Sequence, residues 1–336
     1  QHLGLRMPSV GGAFLQAEDE LCSIFALSGA ALAGAKAMTA TASAGYNYMQ
    51  EGLGYAVAAE IPIVVVDVMR CRGENYATQS DVMQLRWGAS GDHEMIVLAP
   101  ASVQELFDFT IRAFNLAEKY RTPVIVMSET TIALMREKLV IPKPDEIEIV
   151  NRKKPGVPPD QFVPFRAEMN DAPPLPDFGE GYGILHSLNP HDEMGWIAWD
   201  PEVFDTLYQR ITGKITANYD DIVRVDEYFL DDAEIALVAY GSESRPAREA
   251  VTIARKEGIK AGLLKLNTIW PVPEKQLAEI ARQAARVLAV EMNIGKYSGE
   301  IERVCCGCCP VSRITKNSGQ IHTSSEIYQA IRESLN

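Results

Sequence analysis

Residue types able to do chemistry cluster at a few places in this sequence. The acidic triplet Glu18-Asp19-Glu20 closes the short run Ala13-Phe14-Leu15-Gln16-Ala17. Acidic side chains at the start of a helix complement its dipole and cap its free amides, so the triplet alone does not mark a site. Further on come a small-residue turn, Ser43-Ala44-Gly45, and an arginine, Arg70, at the end of the apolar run 61–68, three residues after Asp67. A second cation, Arg72, follows beside Glu74, with which it could simply pair at the surface. Cys305-Cys306-Gly307-Cys308-Cys309 offers four soft ligands, but five consecutive residues wrap a single metal cluster poorly. A packed or redox-sensitive turn is the plainer expectation there. Cys22 is expected on the core side of a helix. His186 and His191 lie near Asp192 and Glu193 with no further ligand at helical or knuckle spacing, which fits a surface segment better than a metal site.

These residues need elements to hold them. Residues 13–15 read as the end of a buried strand, and 18–35 as a helix whose Ala17, Ala26, Gly29, Ala30, Ala31, Ala33, Gly34 and Ala35 allow close packing. Strands are expected at 36–42, 61–68, 95–99 and 123–128, with helices from about residue 46 and over 102–120. Strands alternating with helices signal a mostly parallel sheet covered on both faces. Ser102 caps the last helix and Glu105 stands at the reciprocal capping position. On this layout the acidic triplet, the Ser43–Gly45 turn and Arg70 all fall at strand and helix ends, where open α/β sheets bind ligands. Residues 1–139 form this first domain. Prolines punctuate 140–228, expected to be an extended connector wrapped on it. Alternation resumes over 229–336, with strands at 235–240, 261–266, 287–290 and 311–314 and a Gly241-Ser242-Glu243-Ser244 turn. Such a turn can bind phosphate, though it more often only connects.

Composition narrows the function. A chain of 336 residues, 47% hydrophobic, can bury two cores. Its net charge of -13 argues against nucleic acid. No apolar run approaches the roughly 20 residues that span a bilayer, and no leader pattern opens the chain. Six cysteines, four of them in one turn, make no disulfide framework, so the chain is expected to be cytoplasmic.

Gln16-Ala17-Glu18-Asp19-Glu20, the run from Ala40 to Gly45, Met49-Gln50-Glu51, Val65-Val66-Asp67-Val68-Met69-Arg70, the run from Val97 to Glu105, His191-Asp192-Glu193-Met194-Gly195 and Val290-Glu291-Met292-Asn293-Ile294-Gly295 together resemble the alpha subunit of 2-oxoacid:ferredoxin oxidoreductases. The resemblance implies an α/β fold with a pyrimidine-type, doubly wound domain binding thiamine diphosphate, followed by an α/β domain like the transketolase C-terminal domain. The family's opening unit, with its Tyr-Pro-Ile-Thr-Pro turn, has no counterpart in the sequence, so the chain is expected either to lack its natural start or to have lost that unit.

The implied reaction is coenzyme A-dependent oxidative decarboxylation of a 2-oxoacid, with electrons passed to ferredoxin. Cleaving the bond between a carbonyl carbon and a carboxylate needs an electron sink that no side chain provides. Thiamine diphosphate is such a sink, and it requires a carboxylic group on its aminopyrimidine. By position that group is Glu18, expected to be buried with a raised pKa; Asp19 and Glu20 are left as capping or surface residues. Ser43 and Gly45 are implied to contact the cofactor, and Arg70 to bind the substrate carboxylate in paired hydrogen bonds. After Arg70 the family's glycine-rich loop is replaced by a shorter one carrying Arg72, whose reach to a distal carboxylate would favour 2-oxoglutarate. The sequence has no Gly-Asp-Gly signature for magnesium and diphosphate. That half of the site is therefore expected from a beta subunit that also carries a four-iron four-sulfur cluster, with a gamma subunit or domain completing the body and a ferredoxin-like delta subunit to carry electrons onward. A thiamine enzyme without redox partners and a non-catalytic scaffold subunit are the alternatives.

Overall fold

The computed structural model describes residues 2–71 and 76–335. Ten strands fall into two sheets: β1 (Met38–Ala42), β2 (Val64–Met69), β3 (Ile96–Leu98), β4 (Val124–Glu129), β5 (Val225–Tyr228), β6 (Ile235–Tyr240), β7 (Ala261–Leu266), β8 (Thr268–Trp270), β9 (Arg286–Glu291) and β10 (Val311–Thr315). The first sheet runs β1-β2-β4-β3-β8 and the second β10-β9-β6-β7-β5. All pairs are parallel except β3 with β8 and β5 with β7. Branched apolar runs such as Val64-Val65-Val66 can be buried on both faces, which is what a parallel sheet between helix layers demands. Val65 and Met69 face a core shared with the helices Glu20–Leu32 and Gln50–Ala58, while Val64 and Val66 pack towards Val103–Tyr120.

Several local expectations change. Residues 13–15 form no strand: Phe14 and Leu15 are exposed in the stretch before the first long helix. That helix begins at Glu20, because Asp19, in extended conformation, accepts the amide of Cys22 at 2.7 Å and so becomes the cap. The helix expected near Tyr46 starts at Ser43 and is renewed at Gln50. Ser102 does cap Val103–Tyr120, but Glu105 takes the amide of Ala101, one residue further back than a reciprocal cap. Cys22 is exposed rather than turned into the core.

The proline-rich stretch packs on the first domain, where Leu175 is fully buried and the amide of Phe178 donates to Leu32 O at the end of the first long helix. It then enters the helix Pro201–Thr216. Neither β5, at the end of that stretch, nor β8 was expected. β8 comes from the second run of alternating elements yet pairs with β3 of the first sheet. Among the described residues no helix is long and apolar enough to cross a membrane.

Candidate active site

The carboxyl ends of β1, β2 and β4 lie side by side, since Ala42 is in register with Val68 and Met69 with Glu129. The turns leaving these strands bring together residues far apart in sequence. Ser43 starts the helix after β1; its Oγ accepts the amide of Arg70 at 3.1 Å and donates to the Arg70 carbonyl at 3.2 Å. A single hydroxyl thus fixes both backbone groups of the arginine. On its other side Arg70 forms an antiparallel bridge with Ala77, and the amide of Cys71 donates to Tyr76 O at 2.9 Å. Arg72 lies outside the described residues.

Gly45 is buried two residues further along the same helix. A Cβ there would collide with Thr41 Oγ1 and stand 2.6 Å from Cγ of Glu20. The glycine therefore lets the start of one helix press against the first turn of another. Glu20, half-buried, is the carboxylate brought to this cradle; Glu18 is exposed and precedes the helix. The expected burial of Glu18 is not found, because the chain turns into the helix only at Glu20. Glu20 could have been suspected from the sequence as the first carboxylate after the Asp19 cap.

Two further carboxyl groups lie at or just inside this edge. Asp67 is buried in β2; burial first, and the neighbouring Asp81 second, push it well above the usual carboxylate range. Glu129 ends β4 and accepts from Gln79 Nε2 at 2.6 Å and from the amide and hydroxyl of Ser242. Burial raises it to about 7 even though the Ser242 and Gln79 hydrogen bonds pull it down. The Gly241–Ser244 turn thus meets the first sheet through Ser242; Gly241, at φ 56°, leaves no room for a side chain beside Glu129. No local signal reveals this, since the partners are 50 and 113 residues away.

The other candidates lie apart. His191 is buried, its Nδ1 at 2.8 Å from Asp192 O and its ring on Phe165. His186 is half-buried, and burial lowers it to about 4. Both are packed inside the connector rather than on a polar surface. Cys305 is buried and its thiol is pushed up to about 12, chiefly by burial and then by Cys309, while Cys306 and Cys308 are exposed. Among the described residues no group of three or more His, Cys, Asp or Glu side chains is placed to hold a metal ion.

The chain resembles known proteins along most of its length. Residues 3–203 match the family model described as "Pyruvate flavodoxin/ferredoxin oxidoreductase, thiamine diP-bdg", and 233–327 match "Pyruvate:ferredoxin oxidoreductase core domain II". The chain is 44% identical over 336 residues to the 2-oxoglutarate synthase subunit KorA of Methanothermobacter marburgensis, covering 98% of this chain and 89% of the relative. It superposes with a TM-score of 0.91 on the 2-oxoglutarate:ferredoxin oxidoreductase of Magnetococcus marinus, solved with 2-oxoglutarate, coenzyme A and succinyl-CoA bound. Identity there is 28%; all of this chain is covered but only 59% of that one. A split-gene transketolase matches with a TM-score of 0.55 at 13% identity, a likeness of fold alone.

Proposed function

The chain belongs to the alpha subunits of the 2-oxoacid:ferredoxin oxidoreductases, and on that premise we propose that it works in coenzyme A-dependent oxidative decarboxylation of 2-oxoglutarate. The 2-oxoacid and coenzyme A become carbon dioxide and an acyl-coenzyme A, and the electron pair passes to oxidised ferredoxin. Thiamine diphosphate with magnesium, shared with a beta subunit, supplies the electron sink for the bond cleavage.

The observation that carries the reading is the convergence of Glu20, Gly45, Ser43 and Arg70 on one edge of the first sheet. Gly45, having no Cβ, lets the side chains of Glu20 and Thr41 close on the backbone of the Ser43 helix, which fixes where the Glu20 carboxyl stands at this edge. Glu20 holds a proton-sharing hydrogen bond to the aminopyrimidine; it is favoured over its neighbour Glu18 because only Glu20 is seated in the cradle. Ser43 orients Arg70, and the Arg70 guanidinium takes the substrate carboxylate in paired, charge-assisted hydrogen bonds. The sequence assigns to Arg72 the distal carboxylate that distinguishes 2-oxoglutarate from neutral 2-oxoacids. Four-iron four-sulfur clusters sit on partner subunits, with gamma and ferredoxin-like delta subunits completing the assembly.

The test is anaerobic reduction of viologen or ferredoxin by the natively purified complex, given coenzyme A and a panel of 2-oxoacids. Reduction with 2-oxoglutarate is expected, falling at least about a hundredfold in Glu20→Gln and much less in Glu18→Gln. The reverse ranking would return the role to Glu18. No reduction with any acid, despite bound cofactor and intact iron clusters, would overturn the reading in favour of a scaffold subunit. Turnover without iron would mark a non-redox thiamine enzyme.

A further inference from the structure

Gln79 is fully buried, and at the junction of the two sheets all of its N–H donors and both of its oxygens are hydrogen-bonded. Its amide donates to Met292 O at 2.9 Å, and its Oε1 accepts from Met292 N at 2.8 Å. Its Nε2 donates to Glu129 Oε1 at 2.6 Å and to Tyr240 O at 2.9 Å, and its carbonyl accepts from Asn293 Nδ2 at 3.0 Å. The neighbouring residues are tied the same way. Thr78 Oγ1 donates to Met292 O at 3.3 Å, Lys296 Nζ donates to Ser80 O at 2.6 Å, and Tyr76 lies against Gly319, where a side chain would strike it.

This limb is the return path of the loop that starts at Arg70. Arg70 is held by Ser43 on one side and by the bridge to Ala77 on the other, and Ala77 stands two residues before Gln79. The loop therefore leaves from one sheet and is fastened to the other. From this geometry we infer that Gln79 is a positioning residue for the 2-oxoacid: it locks the return limb onto Met292 and Glu129 and thereby sets where Arg70 stands at the sheet edge. The inference rests on the substrate role proposed for Arg70. A buried amide that merely glued the sheets together would affect assembly and every substrate alike, whereas a positioning residue acts on the one substrate that Arg70 binds.

The experiment uses the assembled complex with Gln79→Met, which keeps length and loses the side-chain hydrogen bonds, and Thr78→Val as a milder variant should the first fail to assemble. KM for the 2-oxoacid is expected to rise about tenfold or more in Gln79→Met, and by a smaller factor in Thr78→Val. The rise should exceed any fall in kcat, with KM for coenzyme A within about twofold of wild type. Hydrogen exchange should quicken at the amides of 76–79 while β1 and β4 keep their protection. An unchanged KM for the 2-oxoacid, or equal rises for both substrates, would overturn the positioning role. If the wild-type complex is inert with every 2-oxoacid, the functional reading fails first and takes the substrate role with it. Exchange then decides the anchoring alone, and equal exchange in variant and wild type removes that too.

Discussion

The two ends of the first sheet are built on opposite electrostatic rules. At the amino ends of its strands the carboxylate of Glu60, fully buried, meets Arg210 through two hydrogen bonds, of 2.9 and 2.6 Å, and Lys214 at 2.6 Å. Arg121, also buried, donates to the Glu60 carbonyl. Burial by itself would raise Glu60, but Lys214 and then Arg210 more than reverse it and hold the carboxyl far below its usual range. Beside it Arg152 takes both carboxylate oxygens of Glu118 and donates to the carbonyls of Ala31 and Ala35. At the carboxyl ends, among the described residues, neither Asp67 nor Glu129 is paired with a cation. Asp67 and Glu129 are both raised, and the Ser43 hydroxyl holds the backbone of Arg70. One end commits its charges to holding the connector; the other holds carboxyl groups in which burial favours the protonated form, a shift common at sites.

The contrast is sharpest at Glu60. Replacing it with Gln strands buried cations and should cost about 3–5 kcal/mol, read as a lower denaturant midpoint of the complex. A loss below about 1 kcal/mol would show that the amino-end charges are not what fastens the connector. An intermediate effect is expected from Glu129→Gln, and it depends on pH. The folded pKa of Glu129, about 7, lies above that of an ordinary glutamate, so its contribution to stability is complete below about 4.5 and is lost as pH rises through 7. Wild type should therefore fall relative to the variant by up to about 3 kcal/mol between pH 5 and 8. A stability difference independent of pH would place Glu129 with the charges of the other end. The smallest effect, about 1 kcal/mol, is expected for Asp19→Ala, which removes only the cap of the helix starting at Glu20. A clearly larger loss in the melting curve would mean that this end, too, carries the fold.

The sequence exposed much of this arrangement and hid the rest for physical reasons. β6 and β7 fall at 235–240 and 261–266 as expected, because each is a short, mainly apolar run, broken in β7 only by Lys265. Arg70, Ser43 and Gly45 could be placed together because strand ends converge in a parallel sheet. β5, with the residues Val225-Asp226-Glu227-Tyr228, has no apolar period; it exists because β7 offers an edge about 40 residues later. Phe14 and Leu15 misled because an apolar run looks like a strand whether or not a sheet edge is there to receive it. The roles of Glu20, Glu129 and Gln79 depend on contacts between distant segments, which a local pattern cannot carry.

The pairing of β8 with β3 reaches beyond the site. Trp270, fully buried, stands opposite Val97 and donates its indole N–H to Val82 O, and the amide of Ala99 donates to Asn267 O. The later half of the chain thus closes the open border of the earlier half's sheet. A fragment cut between the two would carry an unprotected row of backbone donors and acceptors along β3, the kind of border that recruits strands from other molecules. Ribosomal synthesis faces the same hazard, since the first half must wait for residue 270 before its sheet is sealed.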